Sequence, residues 1–180
     1  MLTIGMFHRI IILISLLFIQ IICNEITFDK VLVTVLYASS TYKEFSGTEH
    51  RNNPDLYVRV TFNTPNASGI YGKDTFIGLT RVGSNRPNIT FNTPMAYDWA
   101  AYGRSGPAIF SNSSLIFALW DRNLFLPDDI LMKFPFDMQD IYKKNNTVLE
   151  ETARVVKKKF FTKTKHESTI RFTITAWETV

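Results

Sequence analysis

The chain has one cysteine, Cys23, and only three histidines among its 180 residues. A single cysteine cannot form a disulfide within the chain or supply a zinc site of the multi-cysteine kind. No nucleophile, base and orienting acid can be assembled around His8, His50 and His166 with a recognisable spacing. A glycine-rich phosphate loop is also missing from the sequence. These absences argue against an enzyme.

The chain also has little excess of positive over negative charge. The net charge of the full chain is +4, which is too small to indicate nucleic-acid binding. Six basic residues nevertheless cluster near the C-terminus: Arg154, Lys157, Lys158, Lys159, Lys163 and Lys165. This cluster has two interpretations, because basic residues can meet anionic lipid headgroups or can form an ordinary solvated strand face.

The longest apolar run, residues 10–22, is too short to span a bilayer comfortably. It follows His8 and Arg9, and a basic start before an apolar middle is typical of a secretory signal peptide. We therefore predict a signal peptide over residues 1–23 and one secreted, extracellular domain over residues 24–180. The alternative for the N-terminal run is an uncleaved membrane anchor.

Four sequons are compatible with passage through a glycosylating secretory route. Their acceptor residues are Asn66, Asn88, Asn112 and Asn145. Because the chain is rich in Asn, Ser and Thr, sequons are also expected by chance. They therefore support secretion only mildly.

Apolar and polar residues alternate along several short segments, which predicts β-strands. Residues 56–62 are the clearest case, with Leu56, Val58, Val60 and Phe62 expected to point inward and Tyr57, Arg59 and Thr61 outward. Further strands are predicted at residues 31–37, 75–80, 89–93, 115–120, 154–161 and 169–177. In the first of these, Val31, Val33, Val35 and Tyr37 are expected to share one face.

Clusters of Gly, Pro, Asn and Ser separate these segments, as is typical of an antiparallel sandwich. Residues 136–144 carry helix formers and predict a short helical insertion. Residues 84–111 are rich in Pro, Gly and aromatic residues. Their pattern does not allow strands to be assigned. The predicted fold is all-β, an antiparallel eight-stranded β-sandwich with a short helical insertion.

Two kinds of side chain share the loop that follows residues 115–120. Oxygen-bearing residues flank it: Asp121, Asn123, Asp128 and Asp129. Three apolar residues occupy its middle: Leu124, Phe125 and Leu126. Calcium is a hard cation that prefers oxygen ligands. The loop therefore suggests a cation site beside an apolar tip.

A second loop, which precedes residues 56–62, carries Glu49 and Asp55. Together the two loops resemble those of the C2 domain, the β-sandwich of protein kinase C and the synaptotagmins that binds phospholipid under calcium control. In that family an acidic residue precedes, by six positions, an Asp that opens a strand of the Asp-Pro-Tyr-Val kind. The other family loop is Trp-Asp-x-Asp with a further Asp six positions later. Here Leu56 replaces the usual Pro.

The resemblance implies calcium ligands at five positions: Glu49, Asp55, Asp121, Asn123 and Asp129. Two of them depart from the family pattern, since Glu49 has a longer arm than Asp and Asn123 carries no charge. Weak ligation still suits an extracellular module, whose Kd is about 10⁻⁴ to 10⁻³ M. The alternative is structural, because Asp and Asn are common in turns, where their side chains bond nearby backbone.

The resemblance also implies a phospholipid membrane surface as the partner. The apolar residues Leu124, Phe125 and Leu126 would contact the membrane, and His50 and Arg51 would meet lipid phosphates. The alternative for the apolar residues is burial in the core.

The leading hypothesis is thus a secreted C2-like domain that binds phospholipid with weakened calcium affinity. The other hypothesis is a secreted adhesion or protein-interaction module with a calcium-independent sandwich. Residues 84–111 would then be the favoured surface for a protein partner.

Overall fold

The computed structural model describes residues 26–45, 51–64, 75–101, 103, 108–124, 127–159 and 162–179. These residues form eleven strands: β1 (Thr27–Ser40), β2 (Glu44–Phe45), β3 (Arg51–Asn52), β4 (Leu56–Asn63), β5 (Thr75–Leu79), β6 (Asn88–Asp98), β7 (Ile109–Phe110), β8 (Ser114–Asp121), β9 (Asp129–Asp137), β10 (Val148–Lys159) and β11 (Thr162–Glu178). A 3-10 helix (Met138–Asp140) and one α-helical turn, α1 (Ile141–Lys144), lie between β9 and β10.

Two antiparallel sheets, each with four principal strands, make up the sandwich. One has the order β10-β11-β1-β6, and the other has the order β5-β4-β8-β9. The short strand β7 pairs with the start of β1, and β2 pairs with β3 in a separate ribbon. The eight principal strands confirm the predicted β-sandwich.

The core lies between the sheets and is rich in aromatic side chains. Phe117 of β8 and Phe172 of β11 meet across the sandwich with ring centroids 4.2 Å apart. Phe62 of β4 meets Tyr97 of β6 edge-on at 4.9 Å. Such pairs add stabilisation beyond the apolar area they bury. They fasten the two sheets to each other at two separate points.

Alternation predicted the buried face of β4 almost completely. Leu56, Val58, Val60 and Phe62 are all fully buried. Thr61, however, was expected to point outward and is only 5% exposed. The irregularity in the pairing of β4 with β5 leaves Ile77 of β5 as the extra residue, whereas β4 stays in regular register with β8. Thr61 is therefore buried although the alternation of β4 is unbroken, and the prediction that it faces solvent was wrong.

A second bulge explains the misplaced face of β1. Val31, Val33 and Val35 are buried as predicted, but Tyr37 is not, and Ala38 is buried in its place. The register of β1 against both neighbours shifts between Val35 and Tyr37. One extra residue in a strand reverses the alternation beyond it. Strict period two could not predict this.

The helical insertion is shorter than residues 136–144, because Phe136 still belongs to β9. Strand β9 itself was not predicted from the sequence. It is an edge strand of its sheet, and it tolerates Pro135 because an edge strand can lose one N–H donor. Within the described ranges, no helix has the length and apolar composition that crossing a bilayer requires.

Candidate functional site

Three connections meet at one end of the sandwich, which we call the loop end. They are the segment before β4, the segment between β5 and β6, and the segment between β8 and β9. The register explains why they meet, since Leu56 at the start of β4 pairs with Asp121 at the end of β8. Asp121 in turn pairs with Asp129 at the start of β9. Three predicted site residues, Asp55, Asp121 and Asp129, therefore lie at this end.

Asp121 holds the first connection in place. It is 1% exposed, and its Oδ1 accepts a hydrogen bond of 2.7 Å from the backbone N–H of Asp55. The N–H of Arg122 donates back to the carbonyl oxygen of Asp55 at 3.0 Å. A buried carboxylate needs such donors, because an unsatisfied charge would be costly to bury. The two loops that carry the predicted ligands are thus bonded directly to each other.

The middle connection is fastened by Asp55 and by a close backbone approach. Oδ1 of Asp55 accepts a hydrogen bond from the N–H of Asn85 at 2.5 Å. Asn85 has a positive φ of 50°, a conformation that Asn tolerates better than most residues. Gly83 exchanges two backbone hydrogen bonds with Leu56. A Cβ at Gly83 would lie 2.2 Å from Cδ1 of Ile89, so any larger residue here would displace that side chain.

The loop between β8 and β9 is closed by Asp128, which was not among the predicted ligands. Its Oδ2 accepts a hydrogen bond from the Tyr57 hydroxyl at 2.7 Å, and its Oδ1 accepts one from the N–H of Asn123 at 3.0 Å. The Asn123 side-chain amide donates to the carbonyl oxygen of Pro127 at 3.0 Å. The loop is therefore closed largely by its own hydrogen bonds.

Tyr57 shows the effect of this environment on acidity. Burial, together with the hydrogen bond and the negative charge of Asp128, raises the pKa of its hydroxyl to about 12. Both causes favour the protonated hydroxyl, which is the form that can donate to a carboxylate. The ring of Tyr57 also stacks on Trp120, with centroids 6.2 Å apart. Tyr57 thus connects the outer face of the sheet to the loop.

The predicted calcium ligands are only partly brought together. Asp55, Asp121 and Asp129 share the loop end, the amide of Asn123 bonds within its own loop, and Glu49 lies outside the described residues. In the part of the chain that the structure describes, no three acidic, histidine or cysteine side chains are grouped so as to hold a metal ion. The described residues alone therefore do not complete a calcium site.

Leu124 is exposed at the tip of the loop. Its side chain is 79% exposed, so the alternative of core burial is wrong for this residue. Phe125 and Leu126 lie outside the described residues. Next to the loop, Ile130 of β9 is also exposed and is paired with Trp120. Apolar side chains therefore extend from the tip onto the edge of the sheet.

Cationic side chains surround this end. Arg81 and Arg86 are exposed and line a groove formed by the segment between β5 and β6. Arg122 is exposed directly after Asp121. The residues predicted to meet phosphates were His50 and Arg51, but His50 and the side chain of Arg51 lie outside the described residues. Arg86 falls within the Pro- and Gly-rich residues 84–111, the alternative surface for a protein partner, and Arg81 lies just before them.

The predicted glycosylation sites are spread over the molecule. Asn88, Asn112 and Asn145 are exposed, as an acceptor must be, and Asn66 lies outside the described residues. Asn88 opens β6 at the loop end, whereas Asn112 and Asn145 precede β8 and β10 at the other end. Glycosylation stays a prediction for all four.

No protein-family model and no curated protein matches the chain. Solved structures do match. The calcium-bound pair of C2 domains of Extended-Synaptotagmin 2 superposes with a TM-score of 0.53 at 12% identity, over 83% of this chain and 46% of that one. Human GIVD cytosolic phospholipase A2, in complex with methyl gamma-linolenyl fluorophosphonate, gives a TM-score of 0.50 at 16% identity, over 84% of this chain.

The chain spans about a fifth of the length of that phospholipase, since 18% of the larger protein is covered. At identities this low the similarity shows the fold. The sandwich described above is therefore the C2-type β-sandwich that the loop motifs predicted.

Proposed function

Starting from a C2-type fold, we propose that the chain docks on phospholipid membrane surfaces through its loop end. The observation that carries the proposal is the exposure of Leu124 at 79%, on a loop that Asp128 keeps closed through hydrogen bonds. An apolar side chain that projects from a preformed loop loses little conformational freedom when it enters lipid. Moving a leucine side chain fully from water to an apolar phase contributes about 1.5 to 3 kcal/mol.

Charge and aromatic residues at the same end support this proposal. The exposed guanidinium groups of Arg81, Arg86 and Arg122 suit the phosphates of lipid headgroups, which arginine binds through paired hydrogen bonds. Trp120 and Tyr57 stack beside the loop, and such amphipathic rings are enriched at membrane interfaces. The loop end thus offers an apolar tip within a cationic rim.

Calcium binding is the more specific part of the proposal. Asp121 and Asp129 are directly opposite each other in the register, and like charges so placed favour a cation nearby. By the family spacing, Glu49 would add another carboxylate. We propose weak calcium binding at this end, in the range of extracellular modules. An extracellular location is itself part of the proposal, and it rests on the signal-like residues 1–23.

Vesicle sedimentation tests the docking. We expect the wild-type protein to pellet with phosphatidylcholine vesicles that contain phosphatidylserine, and Leu124→Ser to bind roughly tenfold more weakly. Val148→Ser is the matched control, because Val148 is 62% exposed at the start of β10, away from the loop end. No binding of the wild type, with or without millimolar calcium, would contradict the proposal.

The calcium part is tested by repeating the assay with a chelator. We expect weaker binding without calcium, and we expect Asp129→Asn to lose the calcium-dependent component. Asp140→Asn removes an equal charge at the opposite end and should leave that component intact. If chelation changes nothing, docking is calcium-independent and only the apolar and cationic contacts remain.

A further inference from the structure

The hairpin of β10 and β11 is longer than the sheet that supports it. β1 pairs with β11 as far as Ser40 and Ser168, whereas the pairing of β10 with β11 continues through six more residue pairs, to Lys159 and Thr162. At about 3.3 Å per residue, this extension is roughly 20 Å long. We call residues 154–159 and 162–167 the basic arm.

The basic arm lies at the loop end. Ser40, next to the base of the arm, donates its backbone N–H to the carbonyl oxygen of Pro87 at 2.8 Å. Pro87 belongs to the connection between β5 and β6. The N–H of Thr41 also donates to the carbonyl oxygen of Glu167 at 2.9 Å. The arm therefore extends the sheet on the side where Leu124 is exposed.

The base of the arm is anchored to the second sheet. His166 is buried, and its Nε2 donates a hydrogen bond of 2.9 Å to the carbonyl oxygen of Leu131 in β9. The ring also meets Tyr42 edge-on, with centroids 5.3 Å apart. These contacts fix the direction in which the arm leaves the sandwich.

The charge of the arm is strongly one-sided. Its sequence contains six lysine or arginine residues and one acidic residue, Glu167. Glu167 is engaged by Arg154, whose Nε donates to its Oε2 at 2.9 Å. In the register, Lys158 and Lys163 are directly opposite each other.

We infer that the basic arm is an electrostatic contact for the anionic headgroups of a lipid membrane. The inference rests on the proposed membrane function and adds a second contact, remote in sequence from the loops. An anionic lipid surface is favoured over a nucleic acid because the arm lies at the same end as the exposed apolar tip, and only a membrane uses both. Binding through the arm depends on salt, whereas insertion of Leu124 does not.

The test compares two triple variants on two vesicle types. Lys157→Gln/Lys158→Gln/Lys159→Gln is expected to bind phosphatidylserine-containing vesicles roughly 100-fold more weakly, about fivefold per lysine. Binding to pure phosphatidylcholine vesicles should be unchanged. The matched control Lys30→Gln/Lys143→Gln/Lys144→Gln removes the same charge from the opposite end and should retain wild-type affinity. Cooperative thermal unfolding of both variants confirms that each is folded.

Four outcomes decide the inference. Equal affinities of the two triple variants for anionic vesicles would overturn it, and so would a wild-type affinity that does not fall with salt. If the variant Lys157→Gln/Lys158→Gln/Lys159→Gln loses affinity for a DNA oligonucleotide but not for anionic vesicles, the arm binds nucleic acid instead. If Leu124→Ser binds anionic vesicles with wild-type affinity while the triple lysine variant of the arm does not, the proposal of apolar docking is wrong. The inference about the arm is then supported.

Discussion

The two ends of the sandwich are closed by different interactions. At the end opposite the loop end, which we call the far end, Met138 and Ile141 of the helical segment are buried in the core. At the loop end, Asp121 and Asp128 accept hydrogen bonds from backbone and hydroxyl groups, while Leu124 remains exposed. An end closed by polar bonds leaves its apolar side chains available for an outside partner. Under the proposed function, this difference separates an end that stabilises the domain from an end that contacts the membrane.

Removing an apolar side chain from the far end should have the largest effect on stability. Ile141→Ala is expected to lower the free energy of unfolding by about 2 to 5 kcal/mol, because it leaves a cavity in the core. Urea unfolding followed by circular dichroism measures the loss, with the exposed Val148→Ala as control. Vesicle binding of the folded variant should stay at the wild-type level. Reduced binding by a folded Ile141→Ala would show that the two ends are coupled.

Removing a carboxylate from the loop end should lower the stability less than Ile141→Ala does. Asp121→Ala deletes the acceptor of the Asp55 N–H, and a hydrogen bond to a charged group contributes about 1.5 to 3 kcal/mol. Asp121→Asn keeps an oxygen acceptor and should recover part of that loss. The same urea unfolding measures both variants. Equal stability of the Ala variant and the wild type would mean that Asp121 does not hold the loops together.

Alternation along the sequence predicted the parts of the fold that depend on a buried face. Leu56, Val58 and Phe62 needed only period two and apolar character. The bulge between Val35 and Tyr37 could not be predicted, since a bulge depends on how two neighbouring strands are paired. The full length of the arm also escaped prediction, because residues 162–165 are alternating Thr and Lys and offer no apolar position to the pattern.

The positions of candidate site residues could be predicted where these residues stand at the ends of paired strands. Asp55, Asp121 and Asp129 stand at strand ends, so a correct sandwich brings them to one end. The role of Asp128 depends on Tyr57, which is 71 positions away in the sequence and on the outer face of β4. A spacing within one loop contains no information about such a partner. The aromatic outer face of β4, taken together with the loop, is the signal that could have found it.

Removing the Tyr57 hydroxyl should have the smallest effect on stability. The effect depends on pH, and it concerns the loop end only. The pKa of the hydroxyl rises from the ordinary value of 10 to about 12 in the folded protein, so the folded state binds the proton more tightly. The stabilisation is present in full below pH 10 and is lost as the pH rises from 10 through 12. Tyr57→Phe should cost about 0.5 to 1.5 kcal/mol at neutral pH. This is less than for a buried bond to a charged group, because Tyr57 and Asp128 are only half-buried and water replaces part of the bond.

Urea unfolding at several alkaline pH values and the ultraviolet absorbance of tyrosinate measure this effect. Tyr57→Phe should lose stability less steeply across the alkaline range than the wild type, and Asp128→Asn should lower the pKa of Tyr57. Tyr37→Phe, a substitution in the other sheet, is the matched control and should keep the wild-type slope. If Tyr57→Phe keeps that slope too, the closure of the loop does not depend on the Tyr57 proton. The loop end would then be held by the remaining hydrogen bonds of Asp121, Asp55 and Asp128.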